Sequence, residues 1–199
     1  MDFKFSKDQF HHIEIPDIFY SQASQKMFSY CIECNKYLLE DGVQYLIEKA
    51  IKRYPKFESD DTVFEYAICM DCYDEMRKSF SEISLKRIEE YFNSNVDWVE
   101  RRMKLLHQKE PHLQDWLSNC LVKNTAAEEL TEYQIACHCD GKDMLFSFLP
   151  YLISAAAMDE IANLLSNKTL DAINGFRDRF TKYPPELQDL LTGRPVMLL

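Results

Sequence analysis

Two Cys-x-x-Cys pairs, Cys31-Ile-Glu-Cys34 and Cys69-Met-Asp-Cys72, lie 34 residues apart in a chain of 199. Cysteines three apart in a tight turn aim both sulfurs at one spot, with backbone N–H groups donating to them. Two such turns supply the four ligands of a closed tetrahedral zinc site. Asn35 follows the first pair, and the residue leaving such a turn often needs a positive φ, which favours glycine and then asparagine. The second pair runs into YDEMRKSF, whose Asp74 and Glu75 mark the first turn of a helix. Cys69 and Cys72 would then sit at a helix N-terminus, where the dipole stabilises thiolates.

Between the pairs, Thr62 to Ile68 alternates as a strand, while Val43 to Ile51 fits a strand or a helix. RYPKFESDD between them reads as a turn. Knuckle, hairpin and a helix opening with the second ligand pair resemble the treble-clef zinc finger, over roughly residues 31 to 92. The resemblance implies one structural zinc held by Cys31, Cys34, Cys69 and Cys72. It carries a fold and a metal, not an activity. The competing readings are four buried thiols without metal, or a thioredoxin-like redox pair. The latter requires a single Cys-x-x-Cys within a βαβ unit, which this sequence lacks.

Charge bears on the partner. With 33 acidic and 23 basic residues the formal charge is −10, which opposes phosphate backbones and anionic membrane surfaces at long range. Two basic strips remain as candidates, Lys52, Arg53 and Lys56, and Arg101, Arg102, Lys104 and Lys109, both interleaved with acids. The first twenty residues show no continuous apolar stretch, and Met144 to Met158 is too short to span a bilayer. The expectation is a cytoplasmic protein with reduced thiols, whose seven cysteines serve metal before disulfides.

Helical spacing continues over Ser81 to Phe92, broken by Asn93-Ser-Asn95, and resumes over Val96 to Lys109 until Pro111. Trp98 and Trp116 read as core before they read as a partner surface. Beyond them the sequence echoes itself. EYQIACHC at Glu132 to Cys139 aligns with EYAICMDC at Glu65 to Cys72, setting Cys139 on Cys72 and Ala136 on Cys69. CLVKN at Cys120 aligns with CIECN at Cys31, setting Asn124 on Asn35 and Lys123 on Cys34, and SNKTLDAI at Ser166 aligns with SEISLKRI at Ser81. Three echoes in the same order suggest a duplicated module with an altered second copy. Asp140-Gly141 signals a hairpin turn, Met144 to Leu149 a strand, and Ser154 to Ser166 a helix. Pro184-Pro185-Glu186 opens a last short helix.

The expected architecture is therefore α+β. An N-terminal arm (1–30) precedes the zinc module (31–92), a helical connector (93–119) and a degenerate second copy (120–199). Cys120, Cys137, His138 and Cys139 form a second candidate metal or thiol set, weakened because strand alternation turns His138 away from Cys137 and Cys139. The favoured function is a non-enzymatic, zinc-stabilised interaction or scaffold protein with a protein partner. No phosphate-binding glycine loop or catalytic triad motif is present. The alternatives are an enzyme built on the second cysteine set and nucleic-acid binding through Arg101 to Lys109.

Overall fold

A computed structural model describes residues 10–108 and 111–180. Six antiparallel strands form one sheet: β1 (His11–Glu14), β2 (Gln44–Tyr54), β3 (Ser59–Cys69), β4 (Glu132–Asp140), β5 (Asp143–Phe146) and β6 (Tyr151–Ser154). Six helices complete the α+β fold: α1 (Met70–Lys78), α2 (Glu82–Asn95), α3 (Trp98–His107), α4 (Leu113–Leu117), α5 (Ala155–Ala162) and α6 (Asn167–Phe180). The expected tail helix from Pro184, and Lys109, lie outside the described residues. No helix among the described residues is long and apolar enough to cross a membrane.

The strand order is β1-β5-β4-β2-β3, and β6 also pairs with β4. β2 and β4 form the centre, with Tyr45 opposite Cys139, Ile47 opposite Cys137 and Glu48 opposite Ala136. β2 is buried from Tyr45 to Lys49 without alternation, because both faces of a central strand are covered. This is why Val43 to Ile51 is ambiguous as sequence: its Glu48 and Lys49 are buried polar groups, not a solvated face. Glu48 accepts a 2.7 Å hydrogen bond from the buried Tyr66 hydroxyl. Lys49 donates to the carbonyl of Tyr20 and pairs with Glu65.

The turn between β2 and β3 is a 3-10 segment over Pro55–Phe57 closed by Glu58 at φ +48°. The β4–β5 turn rests on Gly141 at φ +58°, as the Asp140-Gly141 signal predicts, and a Cβ there would press on Asp41 and Glu40 at 3.2 Å. The strand expected over Met144 to Leu149 is divided. β5 ends at Phe146, and β6 begins at Tyr151 against the earlier part of β4.

Asn93-Ser-Asn95 does not break α2. Ser94 and Asn95 donate from their side chains to the carbonyls of Glu90 and Tyr91, and the helix runs to Asn95. Trp116 is buried in the core, whereas Trp98 is half-buried, packed edge-on against Phe148 with ring centroids 5.4 Å apart.

α2 and α6 begin side by side with reciprocal capping. Ser81 N–H donates to Thr169 Oγ1 at 3.0 Å and Ser166 N–H donates to Ser84 Oγ at 2.9 Å, with the Ser81 and Ser166 hydroxyls 2.8 Å apart. From there the helices part. α2 reaches the later elements through Arg87 to Leu164 O and Tyr91 to Glu160. α6 reaches the earlier ones through Phe176 against Tyr66 and Arg179 to Glu33.

Candidate metal centre

Cys31 opens a knuckle in which its N–H donates to Lys36 O at 2.9 Å and Asn35 N–H donates back to Cys31 O at 2.9 Å. Asn35 has φ +58°. Ile32 N–H donates to Ala67 O and ties the knuckle to β3. β3 ends at Cys69, which is the N-cap residue of α1, and Cys72 lies in the first turn of that helix. The four ligand atoms of Cys31, Cys34, Cys69 and Cys72 all lie within 4.8 Å of one another. Cys34 and Cys69 sulfurs are 3.7 Å apart. Tetrahedral zinc–thiolate bonds require sulfurs about 3.8 Å apart, so the donor set fits a four-thiolate ion.

The electrostatics agree with that fit. Burial raises the Cys31 thiol, but the N–H groups of Cys34, Cys69 and Glu33 outweigh it and leave the group below its ordinary value. Burial pushes Cys69 up to about 11 and Cys72 higher still, with neighbouring sulfurs adding to the rise at Cys72. Cys69 and Cys72 thus resist ionisation on their own, and a divalent cation is what would reverse this. Lys36 and Asp71 bridge knuckle and helix at 3.3 Å, both well exposed.

The left-handed residue of the knuckle is directly testable. Asn35→Ala should cost about 1–2 kcal/mol because a Cβ without a local hydrogen-bonding group is strained there, while Asn35→Gly should be near neutral. Chemical denaturation of the two variants measures the difference.

The second candidate set is placed differently. Cys137 and Cys139 share a face of β4 with sulfurs 3.6 Å apart, and both are fully buried. His138 sits between them in sequence, opposite Leu46 and Leu145 on the other face. Cys120 is tied elsewhere: its thiol donates to Ser154 Oγ at 3.3 Å and its sulfur accepts from Ser154 N–H at 3.2 Å and Lys123 N–H at 3.4 Å. Among the described residues, the four do not assemble as Cys31, Cys34, Cys69 and Cys72 do. Burial pushes the Cys137 thiol well up, away from a reactive thiolate.

The expected match of EYQIACHC to EYAICMDC also needs correction. EYQIACHC forms β4 beside β2, whereas EYAICMDC ends β3 and enters α1. Cys139 therefore precedes a hairpin turn, not a helix, and does not occupy the place of Cys72. The closer echo is YLISAAA at Tyr151 against YAICMDC at Tyr66. Both leave a strand and open a helix, with Ser154 where Cys69 stands and Ala157 where Cys72 stands. Conserving tyrosine and isoleucine but no cysteine, it lacks the signal that cysteine spacing alone supplies.

Burial pushes His138 down to about 4, and its buried Nε2 has no hydrogen-bond partner among the described residues. A buried imidazole with a depressed value is neutral in the fold and charges more readily when unfolded. Its effect on stability is absent above about pH 6.5 and grows as a penalty while pH falls toward 4, reaching about 3 kcal/mol. His138→Leu should be neutral or stabilising at pH 7 and should shrink the loss of stability between pH 7 and pH 4 by a comparable amount. Urea unfolding at the two pH values of parent and variant gives this difference, and an unchanged pH dependence would reject it.

Several cations of the basic strips are engaged within the fold, Lys104 among them through Asp115 O. Lys52 pairs with Glu132 at 3.4 Å, and Arg53 donates to Asp60, Ala127 O and Tyr133. Arg101 donates to the carbonyls of Phe148 and Pro150 and lies 4.1 Å over the Trp116 ring. Burial lowers it to about 10, so it serves the core rather than a phosphate surface. No family model, curated protein or solved structure matches the chain.

Proposed function

We propose that the chain is a zinc-stabilised, non-enzymatic interaction or scaffold protein with one structural zinc on Cys31, Cys34, Cys69 and Cys72. The observation that carries this reading is the four-sulfur cluster itself. Four thiolates complete a tetrahedral shell and leave no position for a substrate. The knuckle, the β2–β3 hairpin and α1 form a treble-clef-like module on this reading. The knuckle at Cys120, the hairpin from β4 to β6, and α5 form its second copy.

Further support comes from what the remaining groups do not offer. Cys137 and Cys139 are sealed in the core, and Lys52, Arg53, Arg101 and Lys104 are tied to acids, carbonyls or rings. A protein partner is supported by α3, which exposes Val99, Met103 and Leu106 at 73%, 46% and 69%. Helices of globular proteins ordinarily turn such a stripe inward.

Metal counting by native mass spectrometry on protein purified without added zinc tests the metal assignment. One zinc per chain is expected, lost in Cys31→Ser and Cys72→Ser and retained in Cys139→Ser. Cobalt substitution then separates a structural from a catalytic ion. A four-sulfur tetrahedral spectrum indifferent to azide is expected, and a spectrum that azide alters would sink the structural assignment.

A further inference from the structure

The backbone hydrogen bonds that shape the knuckle at Cys120 follow those at Cys31. Cys120 N–H donates to Thr125 O at 2.8 Å, and Asn124 N–H returns to Cys120 O at 2.8 Å with Asn124 at φ +54°. Leu121 N–H donates to Leu152 O on β6, as Ile32 donates to Ala67 on β3. Cys31 sulfur accepts from Cys69 N–H at 3.4 Å and from the N–H of Cys34. Cys120 sulfur accepts from Ser154 N–H and Lys123 N–H. Ser154 Oγ accepts from Ala157 N–H at 3.3 Å, the bond that the N–H of Cys72 makes to Cys69.

We infer that Cys120, Lys123, Ser154 and Ala157 occupy the four ligand positions of a second metal site, dismantled and refilled by side-chain chemistry. The inference rests on the reading of the first cluster as a metal site. Lys123 bonds Glu160 on α5 and Glu160 accepts from the Tyr91 hydroxyl at 2.7 Å. This network joins the second knuckle to its following helix, the task that an ion performs between the first knuckle and α1. Cys120, fully buried, is the one thiol left of the four.

Two consequences follow for the protein as it stands and for one variant. Hydrogen exchange with and without a chelator should expose the amides of residues 31–36 and leave those of 120–125 protected, because the second half holds itself together without an ion. The triple variant Lys123→Cys, Ser154→Cys, Ala157→Cys should bind one metal more than the parent. The four thiols would release their protons on binding, and cadmium titration should show the thiolate charge-transfer absorbance roughly doubled.

The parent is counted beside the variant. A parent with no metal and a variant with one would overturn the first-site assignment and leave this inference standing. A parent with one and a variant with one would overturn the inference. A variant unfolded both with and without cadmium overturns it too, since the ion is expected to rescue the fold. Loss of protection at 120–125 on chelation, equal to that at 31–36, would equally reject the proposed division of labour.

Discussion

Chelation of the metal, or Cys69→Ser, is expected to unfold the first half of the protein and to lower the melting temperature by tens of degrees. Structural zinc in four-ligand sites contributes on the order of 10–16 kcal/mol of binding free energy that is also folding free energy. A domain of this size has a net stability of about 5–15 kcal/mol. The ion's share falls on the module that it closes, and without it the knuckle, the end of β3 and α1 cannot keep their register, while the second knuckle, closed by side chains, is expected to hold. Cys69 should be the most damaging site because it is buried, caps α1 and approaches Cys34 and Cys31. Cys34, exposed at the knuckle rim, should be the mildest. Circular dichroism melts of the four serine variants and of chelated parent measure the order. A chelated protein melting within a few degrees of the parent would reject a structural ion.

The first site is legible because ligand spacing and turn chemistry are local properties. Cys31 to Asn35 and Cys69 to Asp74 each encode their own turn, and the structure needs only to bring two finished pieces together. The second knuckle is legible for the same reason, through Cys120 and Asn124. Its partner is not, because Ser154 and Ala157, carrying no thiol, need only cap a helix and fill a core. The cysteines of β4 then misdirect, since Cys137 and Cys139 are buried thiols that stand opposite Ile47 and Tyr45 on the neighbouring strand. β2 shows a different limit. A central strand with two covered faces loses its period-2 pattern, and its buried charges are explained only by partners on β3 and the N-terminal arm. Nothing near Lys49 in sequence announces Glu65 or Tyr20.

Lys49→Met should destabilise the protein by about 3–5 kcal/mol and loosen the arm before the first knuckle, the usual cost of stranding one member of a buried pair. Lys49 Nζ donates to Tyr20 O at 2.6 Å and sits 3.3 Å from Glu65, with the two side chains 7% and 15% exposed. Glu65 in turn accepts from Ser21 Oγ at 2.8 Å and from Gln22 N–H at 2.9 Å, and Gln22 Oε1 accepts from Thr62 N–H at 2.8 Å. One ion pair therefore fastens the arm to both β2 and β3. With methionine at 49, the carboxylate keeps its two donors from the arm but loses its cation, while Tyr20 O loses its donor. The effect should fall toward the lower end of the range because those donors remain. Lys49→Met with Glu65→Leu removes the stranded charge, so the double variant should be destabilised by less than the sum of the singles. Urea unfolding of all four proteins gives the coupling, and limited proteolysis within residues 20–26 reads the arm directly. A single-variant loss below about 1 kcal/mol, or a double variant at least as unstable as the sum, would show that this pair behaves like a surface salt bridge and that the arm is held by its apolar contacts, Ile15 and Phe19, alone.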